Sequence, residues 1–294
     1  MMKDMAGVFK SLRRSDFRVL TGIEVGMKYH EWVPVEELPG FANMDAVDIE
    51  DSLGFLLKNK LIRMNRAQYT GYSLYFDGYD MLALNTLSAR GSVTALGDVA
   101  GVGKESVVYE AKSGSIDVII KFHREGTASF RNVRRKRGHI EERRHFSWIY
   151  AARLAASREY RALKTLYPDV AVPEPVDHNR HAVVMAIAGG TRLISARLDE
   201  PDWFLGEILR QVSGAYAKGI IHADLSEYNI FVSPGGISII DWPQYIGRDH
   251  PNADELLHRD IKNILDFFER KYGIKRDPAE VLKQITGSAG QGGE

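Results

Sequence analysis

Apolar residues in the first third of the chain recur at the spacing expected of helices. The pattern predicts a first helix from about Phe17 to Tyr29 and a short second helix in VPVEELPGF that ends at Pro39-Gly40. A third helix follows Asp45, its N-cap, with an apolar stripe of Ile49, Leu53, Leu56, Leu57 and Leu61. The chain is therefore predicted to begin with three short helices.

Two β-rich runs follow in LIRMNRAQYTGYSLYF, and the polar turn between them, which contains Gly71, predicts a hairpin. Three helices followed by a hairpin is the element order of a winged helix-turn-helix domain. One more helix in DGYDMLALNTLSARG leads to a predicted domain boundary near Gly91, so that the first domain comprises residues 1–90.

Beyond this boundary the pattern changes to short β-rich runs broken by Gly and Asp, which is typical of an antiparallel sheet. A helix containing WIYAARLAASREYRALKTLY, a strand in HAVVMAIA and mostly helix to about Tyr272 complete a second domain, residues 91–286. GSAGQGGE, residues 287–294, is expected to form a flexible tail. The predicted fold class is α+β.

The composition excludes several classes of protein. The 294 residues include no cysteine, which excludes disulfides and thiolate metal sites, and 39 Lys and Arg balance 39 Asp and Glu. This zero formal charge implies no general polyanion-binding surface, although RNVRRKRGHIEERR is strongly cationic. With no signal peptide and no run of eighteen apolar residues, we expect a soluble, cytoplasmic protein without a membrane partner.

The segment GIIHADLSEYNIFVSPGGISIIDWPQ places oxygen-bearing side chains between apolar runs. Asp224 precedes Asn229 by five residues, and Asp241 follows Asn229 by twelve. Phosphoryl transfer requires such a set, because Mg²⁺ prefers carboxylate and amide oxygens and a further carboxylate orients the attacking hydroxyl. The alternative is that these residues form a turn, an Asx turn and a strand end, each routine for its residue type.

An upstream pattern favours the chemical interpretation. GVGKESVV fits the glycine-rich loop of kinases, with Gly101, Gly103, Ser106 at the third glycine position, and Val108. An ordinary glycine hairpin is the alternative. A Walker A loop is excluded, because DVAGVGKE has Asp98 in place of the first glycine and Glu105 in place of the metal-binding Ser or Thr.

VIIK places Lys121 at the end of a β-run, eighteen residues after Gly103, where it would bridge nucleotide phosphates. SREYRAL offers Glu159 on an amphipathic helix, where an ion pair would hold Lys121 in position. The alternatives are a snorkelling lysine and a glutamate on a solvated helix face. The order of these motifs predicts a protein-kinase-like pair of lobes, with the N-lobe at about 91–187 and the C-lobe at about 188–286.

The pattern departs from that of an ordinary protein kinase. His222-Ala223-Asp224 lacks the central Arg, and Asp241-Trp242-Pro243 replaces Asp-Phe-Gly. Only WPQYIGRDHPNADEL separates Asp241 from the next helix, which carries Leu257, Ile261, Ile264 and Phe268. This leaves no long activation segment and no Ala-Pro-Glu to support a peptide, so the phosphoryl acceptor need not be a conventional protein substrate.

These motifs resemble the RIO family of kinases, in particular the RIO2 kinases of archaeal type. The likeness lies in GVGKESVVYEA, VIIKFHR running into TASFRNVRRKR, SREYRALKTLYP, VVMAIAGG, HADLSEYNIFV and IIDWPQ, with the winged helix in front. The resemblance covers nearly the whole chain. It implies a trimmed two-lobed kinase domain and an atypical serine/threonine kinase or ATPase acting in maturation of the small ribosomal subunit.

The resemblance also implies a role for each matching position. Asp224 is the catalytic-loop aspartate, while Asn229 and Asp241 hold the metal, Mg²⁺ or alternatively Mn²⁺. Lys121 contacts the ATP phosphates and pairs with Glu159. Further ATP contacts are implied for the glycine-rich loop, including Ser106 and the backbone around Lys104, and for the adenine pocket with Met185 and the backbone of Ala186 and Ile187. Asp241 itself is a candidate phosphoryl acceptor, hence a second catalytic residue.

The cationic stretch EGTASFRNVRRKRGHIEERR implies further partners. By resemblance it is a flexible loop with Ser129 as an autophosphorylation position, and a solvated charge run is the alternative. The same stretch is a candidate contact for rRNA phosphates. Acidic residues at the start of the third helix disfavour sequence-specific DNA. Lys58, Lys60, Arg63 and Arg66 follow at the far end of this helix and into the wing, which leaves an RNA or ribosomal contact through the wing open.

Two other classes of function compete with the enzyme. One is a non-enzymatic, nucleotide-gated ribosome-assembly scaffold or winged-helix regulator, which would not need Lys121, Glu159, Asp224, Asn229 and Asp241 in register. The other is a small-molecule phosphotransferase of the aminoglycoside kinase type, which shares the Asp–Asn–Asp spacing. The winged helix and the basic insertion disfavour the latter.

Overall fold

The computed structural model of the chain describes residues 4–124 and 148–288. Packing divides the chain into two compact units. The first unit contains Met1–Ala156 and Asp177–Val184, and the second contains Ser157–Val176 and Met185–Glu294. The division between these two units is not the predicted domain boundary near Gly91, and that boundary stays a prediction.

The first unit begins with the predicted winged helix, in which helices pack on a small sheet of order β1-β3-β2. Its hairpin is confirmed, since β2 and β3 pair antiparallel with Ile62 opposite Leu74. The elements are α1 (Met5–Ser11), α2 (Arg14–Gly26), β1 (Val33–Pro34), a 3₁₀ turn (Val35–Glu37), α3 (Leu38–Ala42), α4 (Ala46–Lys58), β2 (Ile62–Asn65), β3 (Gly71–Leu74) and α5 (Phe76–Ala89).

Four details of these helices differ from the prediction. Helix α1 was not predicted, and α2 begins before Phe17 because Asp16 accepts a hydrogen bond from the Arg13 amide at 2.8 Å. Helix α3 passes through Pro39-Gly40 instead of ending there, since proline in a first turn lacks only an amide that needs no partner. Asp45 occupies the N-cap of α4, but its side chain makes no capping hydrogen bond.

The rest of the first unit is built on a five-stranded sheet of order β4-β5-β6-β8-β7. Strand β5 runs antiparallel to both β4 and β6, as predicted. Their bounds are β4 (Ala95–Val102), β5 (Ser106–Ser113), β6 (Ile116–His123), β7 (Pro175–Asn179) and β8 (Ala182–Ala186). One continuous apolar core joins this sheet to the winged helix, for example through Leu20, Leu84, Ile120 and Val184.

The second unit is mainly helical, with short paired strands between its helices. The prediction of mostly helix was wrong for the stretch between Ala217 and Ala253, where antiparallel pairs β10–β13 and β11–β12 form. The elements are α6 (Trp148–Leu166, shared with the first unit), β9 (Thr191–Arg192), α7 (Pro201–Ala217), β10 (Ile220–Ile221), β11 (Ile230–Ser233), β12 (Gly236–Ile239), β13 (Ile246–Gly247), α8 (Ala253–Tyr272) and α9 (Pro278–Ser288).

Two predictions fall at the limits of the described residues. Helix α9 continues two residues into the predicted tail, and residues 289–294 lie outside the described part of the chain. The same holds for residues 125–147, which include the whole cationic stretch and, within it, Ser129. Among the residues described, no helix is both long and apolar enough to cross a lipid bilayer.

Candidate active site

In the first unit, strand register aligns the glycine-rich loop with the predicted phosphate-binding lysine. Gly101 lies opposite Val108, and Val108 lies opposite Lys121, so these residues form one row across β4, β5 and β6. The turn between β4 and β5 is closed by the Gly103 amide, which donates to the Ser106 carbonyl at 2.8 Å. Lys104 is exposed within that turn. Backbone pairing alone thus places the predicted phosphate contacts of this unit side by side.

The glycine at position 101 is not required by the packing of the chain. A Cβ atom added there would meet no other atom within 4 Å, although Gly101 lies within a strand. Glycine weakens a strand, and it is useful where a ligand approaches the backbone closely. The open space over Gly101 therefore fits a loop that covers a nucleotide.

Lys121 is only 7% exposed. A snorkelling lysine keeps its ammonium group in water, so this alternative is wrong. Its predicted partner Glu159 belongs to the second unit, and the ion pair between them stays a prediction.

In the second unit, the hairpin of β11 and β12 brings Asn229 and Asp241 to one end. Ile230 pairs with Ile239, and the Ile240 amide donates to the Asn229 carbonyl at 2.9 Å, which extends the ladder by one residue. Asn229 immediately precedes β11, and Asp241 follows Ile240 directly. The eleven residues that lie between them in sequence therefore form the hairpin itself.

Asn229 also fixes the loop that carries Asp224. Its side-chain Nδ2 donates to the Asp224 carbonyl at 2.9 Å. Because the amide nitrogen is used in this way, Oδ1 of the same side chain is the group suited to a cation. This bond, donated by Nδ2 to a carbonyl five residues earlier, is not the bond of an Asx turn, in which the side-chain oxygen accepts from a following amide.

Asp260, which the sequence reading missed, holds the backbone on both sides of Asp224. Its Oδ2 accepts from the Ala223 amide at 2.7 Å, and its Oδ1 accepts from the Leu225 amide at 3.1 Å. Ala223 adopts a left-handed backbone with φ of 62°, and the Arg259 guanidinium donates to its carbonyl. A charged residue on the apolar stripe of α8, between Leu257 and Ile261, was the signal that could have identified Asp260.

The environment of Asp260 raises its pKa to about 7. Burial is the main cause, since it penalises the charged carboxylate, and the two amide donors and Arg259 oppose it. The residue that shapes the catalytic loop therefore titrates near neutral pH.

Glu159 and Arg158 of α6 hold the segment that follows Asp241. Glu159 is 1% exposed, and its Oε1 accepts from the Trp242 amide at 3.4 Å. Arg158, which was not predicted, donates through Nε to the Pro243 carbonyl at 2.9 Å and through its guanidinium to the Tyr245 carbonyl. The alternative of a glutamate on a solvated helix face is wrong.

The rings of Trp242, the residue after Asp241, and His222 form a buried pair. The Trp242 ring is 1% exposed, its indole N–H donates to the Ile239 carbonyl at 3.0 Å, and its centroid lies 4.5 Å from that of His222. Burial lowers the pKa of His222, so the neutral ring donates from Nε2 to the Ile240 carbonyl at 3.0 Å. Asp241, which directly precedes Trp242, has φ of 70°, a strained conformation for a residue other than glycine.

The predicted adenine pocket starts at the end of β8. Met185 is 3% exposed, and the Ala186 amide donates to the Glu174 carbonyl at 2.9 Å. Since this amide has a partner within the chain, the carbonyl of Ala186 is the group suited to an adenine edge. The side chain of Ile187 is half exposed. The contacts of all three residues with a nucleotide stay predictions.

The donor set fits a magnesium ion that is shared with a substrate. Within residues 4–124 and 148–288, no cluster of three or more His, Cys, Asp or Glu side chains is arranged to hold a metal. Asn229 and Asp241 offer one amide and one carboxylate oxygen. Mg²⁺ is commonly bound by one or two carboxylates together with substrate phosphates, so a pair of oxygen ligands is enough.

A sheet with a glycine-rich loop and a buried lysine, and a helical unit with an Asp–Asn–Asp hairpin, are the parts of a protein-kinase-like phosphotransferase. Comparison with known families agrees with this class. The RIO domain family matches residues 107–281, and the family described as Rio2, N-terminal matches residues 9–90.

Individual relatives give the branch of the family. The chain is 39% identical over 265 residues to the RIO-type serine/threonine-protein kinase Rio2 of Methanocaldococcus jannaschii, covering 87% of this chain and 96% of that relative. It is 37% identical over 267 residues to the serine/threonine-protein kinase rio2 of Dictyostelium discoideum, covering 90% of this chain but only 51% of that protein.

A solved structure is similar over nearly the full length. The crystal structure of the Rio2 kinase-ADP/Mg²⁺-phosphoaspartate complex from Chaetomium thermophilum superposes with a TM-score of 0.83 at 33% identity, covering 98% of this chain and 89% of that one. The chain belongs to the RIO family of serine/threonine protein kinases and to its Rio2 branch. The resemblance inferred from the sequence and the predicted winged-helix and kinase fold are confirmed.

Proposed function

We propose that this Rio2-branch kinase binds ATP with Mg²⁺ and transfers or hydrolyses the γ-phosphate during maturation of the small ribosomal subunit. The observation that carries the proposal is the β11–β12 hairpin, which joins Asn229 and Asp241 at one end, with Asn229 also bonded to the loop of Asp224. Oxygen ligands for a cation and a carboxylate for the attacking group are thereby brought together.

Each residue has a part in this reaction. Asp224 orients or deprotonates the attacking hydroxyl, and Asn229 and Asp241 supply ligand oxygens for the cation, which neutralises developing phosphate charge. Lys121 and the backbone of the glycine-rich loop bind the phosphates, and Met185 lines the adenine pocket. Asp260, Glu159 and Arg158 position the loops that carry these groups.

Asp241 is proposed as a phosphoryl acceptor as well. Its carboxylate oxygen attacks the γ-phosphorus of ATP, the bond to the β-phosphate oxygen breaks and ADP leaves; water then cleaves the acyl phosphate and releases phosphate. A phosphoaspartate occurs in the named complex of the Chaetomium relative. An acid-stable, hydroxylamine-resistant phosphoenzyme would contradict this step for the present chain.

The ribosomal part of the proposal is supported by the family and by the charge distribution of the winged helix. The start of α4 is acidic and exposed at Asp48, Glu50 and Asp51, which repels nucleic-acid phosphates. Exposed cations lie at the end of α4 and extend into the wing: Lys58, Lys60, Arg63 and Arg66. A contact with rRNA through the wing therefore suits this domain better than sequence-specific reading of DNA.

The test measures phosphate release from labelled ATP with Mg²⁺ for the wild type, Asp224→Ala and Asp241→Ala, with and without purified pre-small-subunit particles. Asp266→Ala is the matched control, because Asp266 forms only an exposed ion pair with Lys262 on α8. Turnover that is lost in both site variants and kept in the control supports the proposal. Nucleotide binding without turnover in any sample would instead indicate a nucleotide-gated scaffold.

A further inference from the structure

Arg124 connects the predicted phosphate-binding elements through the backbone. It follows β6 directly, three residues after Lys121. Its amide N–H donates to the Glu105 carbonyl at 2.7 Å, and Glu105 lies in the turn of the glycine-rich loop between Gly103 and Ser106. The end of the lysine strand and the tip of this loop are therefore tied at a single residue.

The side chain of Arg124 extends in the other direction, to the last helix of the winged-helix domain. Its Nη1 donates to Asp80 Oδ1 at 2.6 Å and its Nη2 donates to Asp80 Oδ2 at 2.5 Å, a bidentate pair. Asp80 lies on α5 and is fully buried, with 0% exposure. The guanidinium also lies over the rings of Phe76 and Phe122, at 4.9 and 5.7 Å from their centroids.

His181 completes the surroundings of Asp80. Burial lowers the pKa of His181 to about 4, so the ring is neutral and Nε2 donates to Asp80 Oδ1 at 2.7 Å. Burial alone would raise the pKa of Asp80, but Arg124 and His181 outweigh it and hold that pKa below its ordinary value. The His181 carbonyl accepts from the His123 amide at 2.8 Å, which binds the same end of β6 to the β7–β8 turn.

The Asp80–Arg124 pair is strong, and it also fixes the relative orientation of the two side chains. A bidentate arginine–carboxylate pair fixes both distance and orientation, and a buried pair has no alternative partners in water. A shift of α5 would therefore be passed through Arg124 to the carbonyl of Glu105 and to the strand of Lys121. The apolar core that the winged helix shares with the five-stranded sheet holds the two together, but it makes no specific connection to the glycine-rich loop.

We propose that Asp80 and Arg124 are positioning residues through which the winged-helix domain sets the glycine-rich loop and the Lys121 strand for nucleotide binding. The proposal rests on the proposed function, since it assigns a purpose to nucleotide contacts of that site. The winged-helix domain would then contribute to nucleotide binding by the kinase domain, in addition to any role in binding RNA.

The test compares three conservative variants in the full chain. Asp80→Asn and Arg124→Lys keep the size of the side chain but lose the bidentate pair. Glu24→Gln is the matched control, because Glu24 forms a similar half-buried pair with Arg180 at 2.8 Å between α2 and the β7–β8 turn. No hydrogen bond among the described residues links Glu24 or Arg180 to the glycine-rich loop.

Two measurements are made on each variant, the affinity for ADP with Mg²⁺ and the amide hydrogen exchange of residues 101–108 without nucleotide. We expect Asp80→Asn and Arg124→Lys to bind ADP about tenfold more weakly and to exchange faster in the loop. Glu24→Gln is expected to lower the melting temperature while affinity and loop exchange stay at wild-type values.

Two results would overturn the proposal. One is loop exchange in Asp80→Asn that is unchanged from the wild type. The other is a change in loop exchange in Glu24→Gln as large as that in Asp80→Asn when the two variants lose the same stability. If wild-type protein bound no ADP, the proposed function would fail while loop exchange still tested the connection to α5. Should a single variant fail to fold, Asp80→Asn/Arg124→Gln removes both charges together, and the same two readings apply to it.

Discussion

The two compact units position their site residues by different physical means. In the first unit, strand register places Gly101, Val108 and Lys121 in a row, and the row follows from backbone pairing. In the second unit, buried side chains from distant helices hold the peptide groups of irregular loops, as Asp260 and Glu159 do. Pairing of strands depends little on the identity of the side chains, whereas a loop held by a buried side chain loses its hydrogen-bond partner when that side chain is replaced.

The largest effect is expected at the reacting end of the second unit. Asp224→Asn removes the carboxylate that we propose orients or deprotonates the attacking hydroxyl, so we expect ATP turnover to fall about 10³-fold. Binding of ADP with Mg²⁺ and the melting temperature should stay near wild type, because the backbone of Asp224 is held by other residues. Turnover within tenfold of wild type would remove Asp224 from the mechanism.

A comparable loss of turnover, now with a loss of stability, is expected when the support of this loop is removed. Asp260→Ala leaves the amides of Ala223 and Leu225 buried without their acceptor, which costs about 2–4 kcal/mol of unfolding free energy. The exposed control Asp266→Ala should stay within about 0.5 kcal/mol. Denaturant unfolding of both variants measures the difference, and equal stabilities would contradict the assigned role.

The pH dependence of stability tests Asp260 independently. Its folded-state pKa of about 7 lies above that of the unfolded chain, so the folded protein binds more protons in the interval between them. The stability from this group is fully present below the ordinary aspartate range and is lost as pH rises toward 7, with a total on the order of 4 kcal/mol.

The comparison is made with Asp260→Asn, which does not titrate. Unfolding free energies measured from pH 4 to 8 should fall more steeply for the wild type than for the variant. Parallel curves would show that Asp260 does not take up a proton on folding.

The smallest effect on stability is expected in the first unit. Gly101→Ala adds a methyl group to open space, so the free energy of unfolding should change by less than about 1 kcal/mol. A nucleotide that approaches the loop would meet this methyl group and bind more weakly. Gly190→Ala is the contrasting variant, because φ is 95° and the new Cβ would lie 2.1 Å from the Val232 carbonyl oxygen. Thermal melts and ADP titrations separate the two effects, and a large stability loss in Gly101→Ala would contradict the open space.

Local patterns were sufficient for most elements and for the identity of the chemical groups. The winged-helix hairpin, the antiparallel β4–β6 strands and the buried stripe of α8 all follow from side-chain periodicity. Helix α1 and the passage of α3 through Pro39 were missed because short helices depend on tertiary packing more than on their own pattern. The short strands β9, β10 and β13 were obscured for the same reason.

The residues of the candidate site also divide into those that local patterns predict and those that they do not. Asp224, Asn229 and Asp241 could be predicted as site residues because their spacing reflects a loop and a hairpin, which are local in sequence. Asp260, Arg158 and the Asp80–Arg124 pair were missed because their partners lie 35 or more residues away. No periodicity within one helix reveals which peptide group a buried carboxylate will hold.

The sequence by itself determined the family, the order of the elements and the residues able to carry phosphoryl transfer, because these depend on residue type and short spacings. Only the tertiary structure decided which acids are buried, which backbone groups they hold and how α5 of the winged helix connects to the glycine-rich loop. The physical reason is that desolvation and hydrogen-bond geometry depend on atoms brought together from distant parts of the chain.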